Sequence, residues 1–131
     1  MGLALCDTTL FVDLHRERQR EERGPATELL AERPDEELGM SVVTCGELAR
    51  GFDTEEGWRA FIGGFLVFPL DDETLWAAAS IFRTLRARGI PISDNDLWIG
   101  ATALRHGIVL ITENRRHFDR IDGLRSRTYR S

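Results

Sequence analysis

The sequence predicts an α/β fold in which a central, mainly parallel sheet lies between two layers of helices. Short apolar runs typical of buried strands alternate with segments whose apolar residues recur at helical spacing. Polar residues follow directly where each apolar run ends. A chain of 131 residues suits one domain with a single core, so we expect residues 1–131 to form one domain with three α/β/α layers.

The first half of the chain alternates between strand and helix patterns. Residues 3–6 form an apolar run that ends at Asp7 and is followed by a helical apolar repeat from Leu10. Residues 17–37 are highly charged and interrupted by Gly-Pro, which predicts a solvent-facing helical hairpin. Residues 40–43 predict a second strand, which ends at Thr44 and leads into a helix.

The second half repeats the alternation. Residues 65–68 are a β-rich run, and residues 72–88 predict a long helix that Gly89 stops. The apolar face expected on that helix consists of Leu75, Ala78, Ala79, Phe82 and Leu85. A further helix is expected from residue 93 through 103, then a strand over 108–111 and a last edge strand within 124–129.

Composition excludes several kinds of chemistry. All 17 residues counted as Lys or Arg are arginine, so a P-loop lysine or a Schiff-base lysine cannot operate here. No apolar run nears the roughly 18 residues of a membrane helix, and no basic segment starts a signal peptide, so we expect a cytoplasmic protein without membrane contact. Cys6 and Cys45 lack metal-ligand spacing and are expected to be buried apolar residues.

Polar side chains are expected to meet at the carboxyl edge of the sheet, where ligands bind in open α/β folds. These are Asp7, Thr44, Glu47, Thr112 and Asn114, joined by Asp94 and Asp96 at a helix start. Each acid taken alone is better explained by helix capping, with Thr44 and Glu47 matching a capping box. Taken together, converging carboxylates would raise one another's pKa unless a cation lay among them, and oxygen ligands favour Mg²⁺ or Mn²⁺ over zinc.

Four segments carry a family resemblance. They are residues 5–9 (LCDTT), 41–51 (SVVTCGELARG), 96–101 (DLWIGA) and 112–118 (TENRRHF). In this order they resemble the motifs of PIN-domain ribonucleases and, more narrowly, of the VapC toxins of toxin-antitoxin pairs. The resemblance extends from Asp7 to about Leu124. It implies a three-layer PIN-like fold, a Mg²⁺-dependent endoribonuclease toxin that cuts structured RNA, and a cognate antitoxin that blocks the site.

The resemblance also implies site residues. Asp7, Glu47 and Asp96 fall on the three acidic positions that bind metal and carry catalysis. The accessory residues are Thr8, Thr112, Asn114 and Asp94. Asn114 departs from the family, because many PIN domains have Asp there, and Asp94 matches no fixed family position. Arg115 and Arg116 directly follow Asn114 and are expected to contact RNA phosphate.

Two other functions stay open at this point, namely a catalytically weak PIN-like subunit that acts with its antitoxin in operator-DNA repression, and a structure-specific DNA nuclease. The expected partners are a VapB-like antitoxin, RNA and a second copy of the chain, with operator DNA bound only through the antitoxin. Several large apolar side chains are expected to stay uncovered, and part of this set is expected to form the antitoxin groove that the resemblance implies, while another helical face makes the homodimer. The side chains of this set are Phe11, Leu14, Phe52, Trp58 and Phe61.

Overall fold

A parallel sheet organises the computed structural model, which describes residues 2–130. Within these residues the strands are β1 (Gly2–Cys6), β2 (Glu36–Ser41), β3 (Leu66–Phe68), β4 (Val109–Ile111) and β5 (Ser126–Arg127). The helices are α1 (Thr8–Gln19), α2 (Pro25–Glu32), α3 (Val42–Ala49), α4 (Glu55–Ile62), α5 (Asp72–Ala87), α6 (Asp94–His106) and α7 (Arg115–Phe118). The strand order is β3-β2-β1-β4-β5 and every pairing is parallel, which confirms the predicted fold class.

The two faces of the sheet carry separate apolar clusters. Along the central strand β1, Ala4 and Cys6 belong to the cluster beneath α1 and α3, whereas Leu5 belongs to the cluster beneath α5 and α6. Side chains alternate in the same way along β4, where Leu110 and Ile111 lie on opposite faces. Helices therefore cover both faces, which explains why the central strands read as continuous apolar runs.

The strand expected over residues 40–43 ends earlier, at Ser41. The Ser41 hydroxyl accepts a hydrogen bond from the backbone N–H of Val43 and so caps α3. Capping outweighs the β preference of the two valines, which form the first turn of the helix. Thr44 consequently lies inside α3 and not at a strand end, and it does not cap the helix as the sequence suggested.

Helix α5 is present as expected, but its buried face is rotated from the predicted one. Its buried residues are Thr74, Ala78, Ile81 and Leu85, spaced as one helical stripe. The carboxylate of Asp71 accepts hydrogen bonds from both the N–H and the hydroxyl of Thr74, and this satisfies a buried polar side chain. Leu75 and Phe82, which were expected on the buried face, lie outside this stripe and are 41% and 42% exposed.

The apolar residues predicted to stay uncovered are instead covered by the chain itself. Phe11, Leu14 and Phe61 are buried, and Phe52 and Trp58 are partly buried against the same cluster. Helices α1, α3 and α4 pack together here, and the Trp58 indole donates a hydrogen bond to the Cys45 carbonyl at 2.8 Å. Phe11, Leu14 and Phe61 are therefore not available to a partner, whereas Phe52 and Trp58 keep partial exposure.

The remaining elements match the sequence more closely. The charged hairpin exists as the end of α1 followed by α2, although Ala26 and Leu29 are buried rather than facing solvent. The last edge strand is limited to β5 beside β4. Cys6 and Cys45 are buried free thiols, as expected. No helix within residues 2–130 is long and apolar enough to cross a membrane.

Candidate active site

A cavity of about 440 Å³ opens at the carboxyl end of β1. Strand β1 lies between β2 and β4, so the chain has crossed to opposite sides of it, and this reversal is where open α/β sheets bind ligands. Asp7, Glu47 and Asp96 all line the cavity, although they come from three different parts of the chain. Of the predicted accessory residues, Thr8 and Asn114 also line it.

Asp7 is held in place through both oxygens of its carboxylate. It is only 5% exposed and is the N-cap of α1, where Oδ1 accepts a hydrogen bond from the Thr8 N–H at 2.7 Å. Oδ2 accepts a hydrogen bond from the Thr112 hydroxyl at 2.8 Å, and this hydroxyl in turn accepts one from the N–H of Asn114 at 2.9 Å. Capping and a role in the cavity are therefore combined in one side chain.

The environment of Asp7 opposes its negative charge. Burial is the main cause that raises the pKa of Asp7 above its usual range. Hydrogen bonds from Thr112 and Thr8 counteract this effect, whereas the nearby charges of Asp96 and Glu47 add to it. The net pKa is raised, so a cation at this position would stabilise the ionised carboxylate.

Glu47 is oriented by side chains from two other helices. The Thr8 hydroxyl donates to Oε1 at 2.7 Å, and the amide of Asn95 donates to Oε2 at 3.0 Å. The hydroxyls of Thr8 and Thr44 are 3.0 Å apart, and because Thr8 gives its only proton to Glu47, Thr44 must be the donor between them. Glu47 is thus directed at the cavity and makes no capping bond for α3.

Asp96 and Asp94 have different positions although only one residue separates them. The backbone N–H of Asp96 donates to the Ser93 hydroxyl, which caps α6, so the carboxylate of Asp96 is not used for capping. That carboxylate lies 3.5 Å from Nδ1 of His117 and lines the cavity. Asp94 is exposed at the first position of α6 and is not among the lining residues.

The arginines that line the cavity are not those singled out in the sequence. Arg115 and Arg116 are exposed on α7 and do not line it, and Arg115 donates a hydrogen bond to Ser126. The lining arginines are Arg16 on α1 and Arg130 beyond β5. Helical spacing from Asp13 could have indicated Arg16, whereas no local pattern indicates where residue 130 lies.

The donor atoms around the cavity are compatible with a hard divalent cation. Asp7, Glu47 and Asp96 offer carboxylate oxygens, the ligands that Mg²⁺ and Mn²⁺ prefer. Within residues 2–130 no three His, Cys, Asp or Glu side chains stand close enough together to hold a metal ion by direct contact from all three. Mg²⁺ is usually held by one or two carboxylates and keeps several waters, so the donor set fits a hydrated ion.

Known proteins resemble this chain over almost its whole length. Residues 4–124 match the PIN domain family. Ribonuclease VapC1 of Methanocaldococcus jannaschii is 30% identical over 120 residues, which cover 89% of this chain and 79% of that protein. A chain of the solved VapBC-1 structure from nontypeable Haemophilus influenzae has a TM-score of 0.78 at 29% identity, with 97% of this chain and 98% of that chain covered.

A further solved structure is similar in fold. In DNA-bound VapBC from Salmonella typhimurium, a chain has a TM-score of 0.82 at 24% identity, with 98% of this chain and 99% of that chain covered. The resemblance inferred from the four sequence segments is therefore confirmed. The chain belongs to the PIN domain family and, within it, to the VapC ribonucleases.

Proposed function

We propose that this protein is a Mg²⁺- or Mn²⁺-dependent endoribonuclease, the toxin of a toxin-antitoxin pair, and that it hydrolyses a phosphodiester bond in structured RNA. The observation that carries the proposal is the convergence of Asp7, Glu47 and Asp96 on one cavity at the carboxyl edge of a parallel sheet. Membership of the VapC ribonucleases supports RNA as the substrate.

The roles follow from the geometry around each carboxylate. Asp7, Glu47 and Asp96 would hold a hydrated divalent ion, with some of these carboxylates reaching it through its waters, and the bound ion would supply positive charge to the phosphate and lower the pKa of a water molecule. Thr112 fixes Asp7, and the pair Thr44 and Thr8 fixes Glu47, so the carboxylates need little reorganisation when the substrate arrives. Asn114 faces the cavity as a neutral group.

The direct test is to incubate the purified protein, freed of any antitoxin, with total RNA in the presence of Mg²⁺ and then with EDTA. Cleavage that EDTA abolishes is expected. Asp7→Asn, Glu47→Gln and Asp96→Asn should each keep the fold and lose most cleavage, because each removes one charge and keeps the shape. Asp53→Asn, in an exposed loop between α3 and α4, is the matched control. Full activity in any two of the three site variants contradicts the proposal.

The same cleavage assay can be repeated with other nucleic acids as substrates. Folded RNA is expected to be cut in preference to DNA hairpins or duplexes. If only DNA is cut, the protein is a DNA nuclease of the same fold. If nothing is cut but repression of operator DNA with the antitoxin is retained, the protein is a binding subunit.

The proposal includes protein partners. A solved relative at 29% identity is a VapBC complex, which supports a VapB-like antitoxin as the cognate partner. We expect operator DNA to be bound only through this antitoxin. We expect the toxin to form a homodimer and to act in the cytoplasm. Co-purification with the small protein encoded beside it, together with light scattering of the free toxin, tests these points. A monomer that captures no such partner contradicts them.

A further inference from the structure

We propose that Arg130 and Arg16 form a clamp that binds a backbone phosphate of the RNA at the mouth of the cavity. Asp13 and Tyr129 act as positioning residues for Arg130. This inference deepens the proposed function, because it names how the chain's own residues hold the substrate.

The need for such a clamp follows from the charges around the cavity. The lining acids are Asp7, Asp13, Glu47 and Asp96, and the lining arginines are Arg16 and Arg130. An RNA strand brings one negative charge with each phosphate, and carboxylates repel it. A divalent ion offsets that repulsion at one point only, so neighbouring phosphates need cationic side chains on the wall. Guanidinium groups suit this task because their planar donors match two phosphate oxygens at once.

Arg130 is held over the cavity by a network of hydrogen bonds. Oδ2 of Asp13 accepts a bond from Nη2 of Arg130 at 2.5 Å and another from the Tyr129 hydroxyl at 2.7 Å. Oε2 of Glu113 accepts the backbone N–H groups of Tyr129 at 2.8 Å and of Arg130 at 3.2 Å. Two acids from different elements therefore fix both the backbone and the side chain of this short segment, and the ring of Tyr129 packs against the apolar cluster beneath.

The restraint leaves most of the guanidinium available. A guanidinium carries five N–H donors, and the bond to Asp13 uses one of them. The side chain of Arg130 is 48% exposed, whereas that of Asp13 is 17% exposed. An isolated surface ion pair contributes little to stability, so stability alone is a weak reason for such an arrangement beside carboxylates. Donors that are already held in position lower the ordering cost of binding a phosphate.

Arg16 completes the clamp from helix α1, the helix that also carries Asp13. It lies three residues after Asp13 on α1, so the two side chains are neighbours on the helix surface. Arg16 is exposed, lies in the last turn of α1 and lines the same cavity as Arg130. Arg115 and Arg116, by contrast, lie on α7 outside the lining residues.

The test measures RNA binding without cleavage. A fluorescein-labelled RNA is titrated with wild-type protein in EDTA at several salt concentrations, and the same is done for Arg130→Gln, Arg16→Gln and the double variant. Each single change is expected to weaken binding about tenfold and to reduce the steepness of the salt dependence by about one phosphate contact. Arg23→Gln removes the same charge from the exposed loop between α1 and α2 and should leave both quantities unchanged.

The positioning role has its own readout. Tyr129→Phe removes the bond to Asp13 and should raise the KM for RNA cleavage about threefold while kcat stays the same, and the lost bond should also lower the melting temperature slightly. Arg130→Lys keeps the charge but loses the planar fork, so its binding should lie between wild type and Arg130→Gln.

Wild-type affinity and salt dependence in both Arg130→Gln and Arg16→Gln would overturn the clamp, even if the protein cleaves RNA. Loss of affinity in these variants with no cleavage by the wild type would support the clamp and refute the proposed ribonuclease. Absence of any RNA binding by the wild type would overturn the clamp. Circular dichroism of each variant verifies that the fold is retained.

Discussion

Thr112→Val tests how the protein keeps a charged carboxylate in its interior. Thr112 is fully buried directly after β4, and its hydroxyl donates to Asp7 at 2.8 Å while accepting from the Asn114 N–H at 2.9 Å. Valine has nearly the same shape, so the change removes two hydrogen bonds and leaves the packing almost intact. Thr112→Ser keeps the hydroxyl and is the matched control.

The magnitude follows from the two bonds lost. A hydrogen bond to a charged group contributes about 1.5–3 kcal/mol and a neutral one about 0.5–1.5 kcal/mol. Asp7 is only 5% exposed, so water replaces the lost donor poorly. We expect Thr112→Val to lower the free energy of unfolding at neutral pH by about 2–4 kcal/mol, and Thr112→Ser by less than about 1.5 kcal/mol. Urea denaturation of the metal-free proteins measures both values.

The effect should depend on pH with a definite sign. Burial raises the pKa of Asp7, and the bond from Thr112 partly opposes this, so Thr112→Val should raise that pKa further. A carboxyl group with a raised pKa in the folded state loses stability as pH rises from its unfolded pKa through its folded pKa. The gap between Thr112→Val and wild type should therefore widen from about pH 4 to neutrality. A gap that is constant with pH, or a valine variant as stable as wild type, would refute the reasoning.

Three further changes probe the site and its supports. Asn114→Asp adds a carboxylate to the cavity wall, so cleavage should reach half its maximum at a lower Mg²⁺ concentration; an unchanged metal titration would show that Asn114 does not contribute to the metal site. Asp94→Asn removes an exposed acid from the first turn of α6 and should lower the free energy of unfolding by about 0.3–1 kcal/mol while RNA cleavage persists. A loss of cleavage as large as that caused by Asp96→Asn would contradict this. Burial raises the pKa of Glu17, but hydrogen bonds from the N-terminus of α2 outweigh this effect, and the net pKa is lowered. Glu17→Gln should therefore lower the free energy of unfolding, measured by urea denaturation at neutral pH, by about 0.5–2 kcal/mol. That cost should disappear as pH falls through the folded pKa of Glu17, and a cost that persists in acid would exclude the charge as its source.

Local signals were sufficient for the parallel sheet and for part of the site. A buried strand that ends in a polar residue shows where the strand stops, which is why Asp7 and Thr112 could be placed at the carboxyl edge of the sheet. Ser93 is a local signal of another kind, a helix cap, because its hydroxyl caps α6 and leaves the carboxylate of Asp96 available for the cavity.

The prediction from sequence was wrong where a strand preference and a helix cap compete in the same segment. Valines at residues 42 and 43 favour a strand, but the Ser41 cap draws them into α3, and this places Thr44 one turn before Glu47. The Thr44 hydroxyl can then support Thr8, which binds Glu47. The capping hydrogen bond forms only once the chain has turned into the helix. Whether it outweighs the strand preference of the valines therefore depends on the packing around them.

Only the tertiary structure decided which surfaces are covered and which distant residues reach the cavity. A helical pattern tells which side chains are apolar but not which neighbours lie over them, and so Phe11 is buried while Trp76 is 67% exposed. Arg130 lines the same cavity as Asp7 because the chain beyond β5, which pairs with β4, returns to α1, where Asp13 accepts a hydrogen bond from Arg130. Such a contact joins residues more than a hundred positions apart, and no periodicity along the chain encodes it.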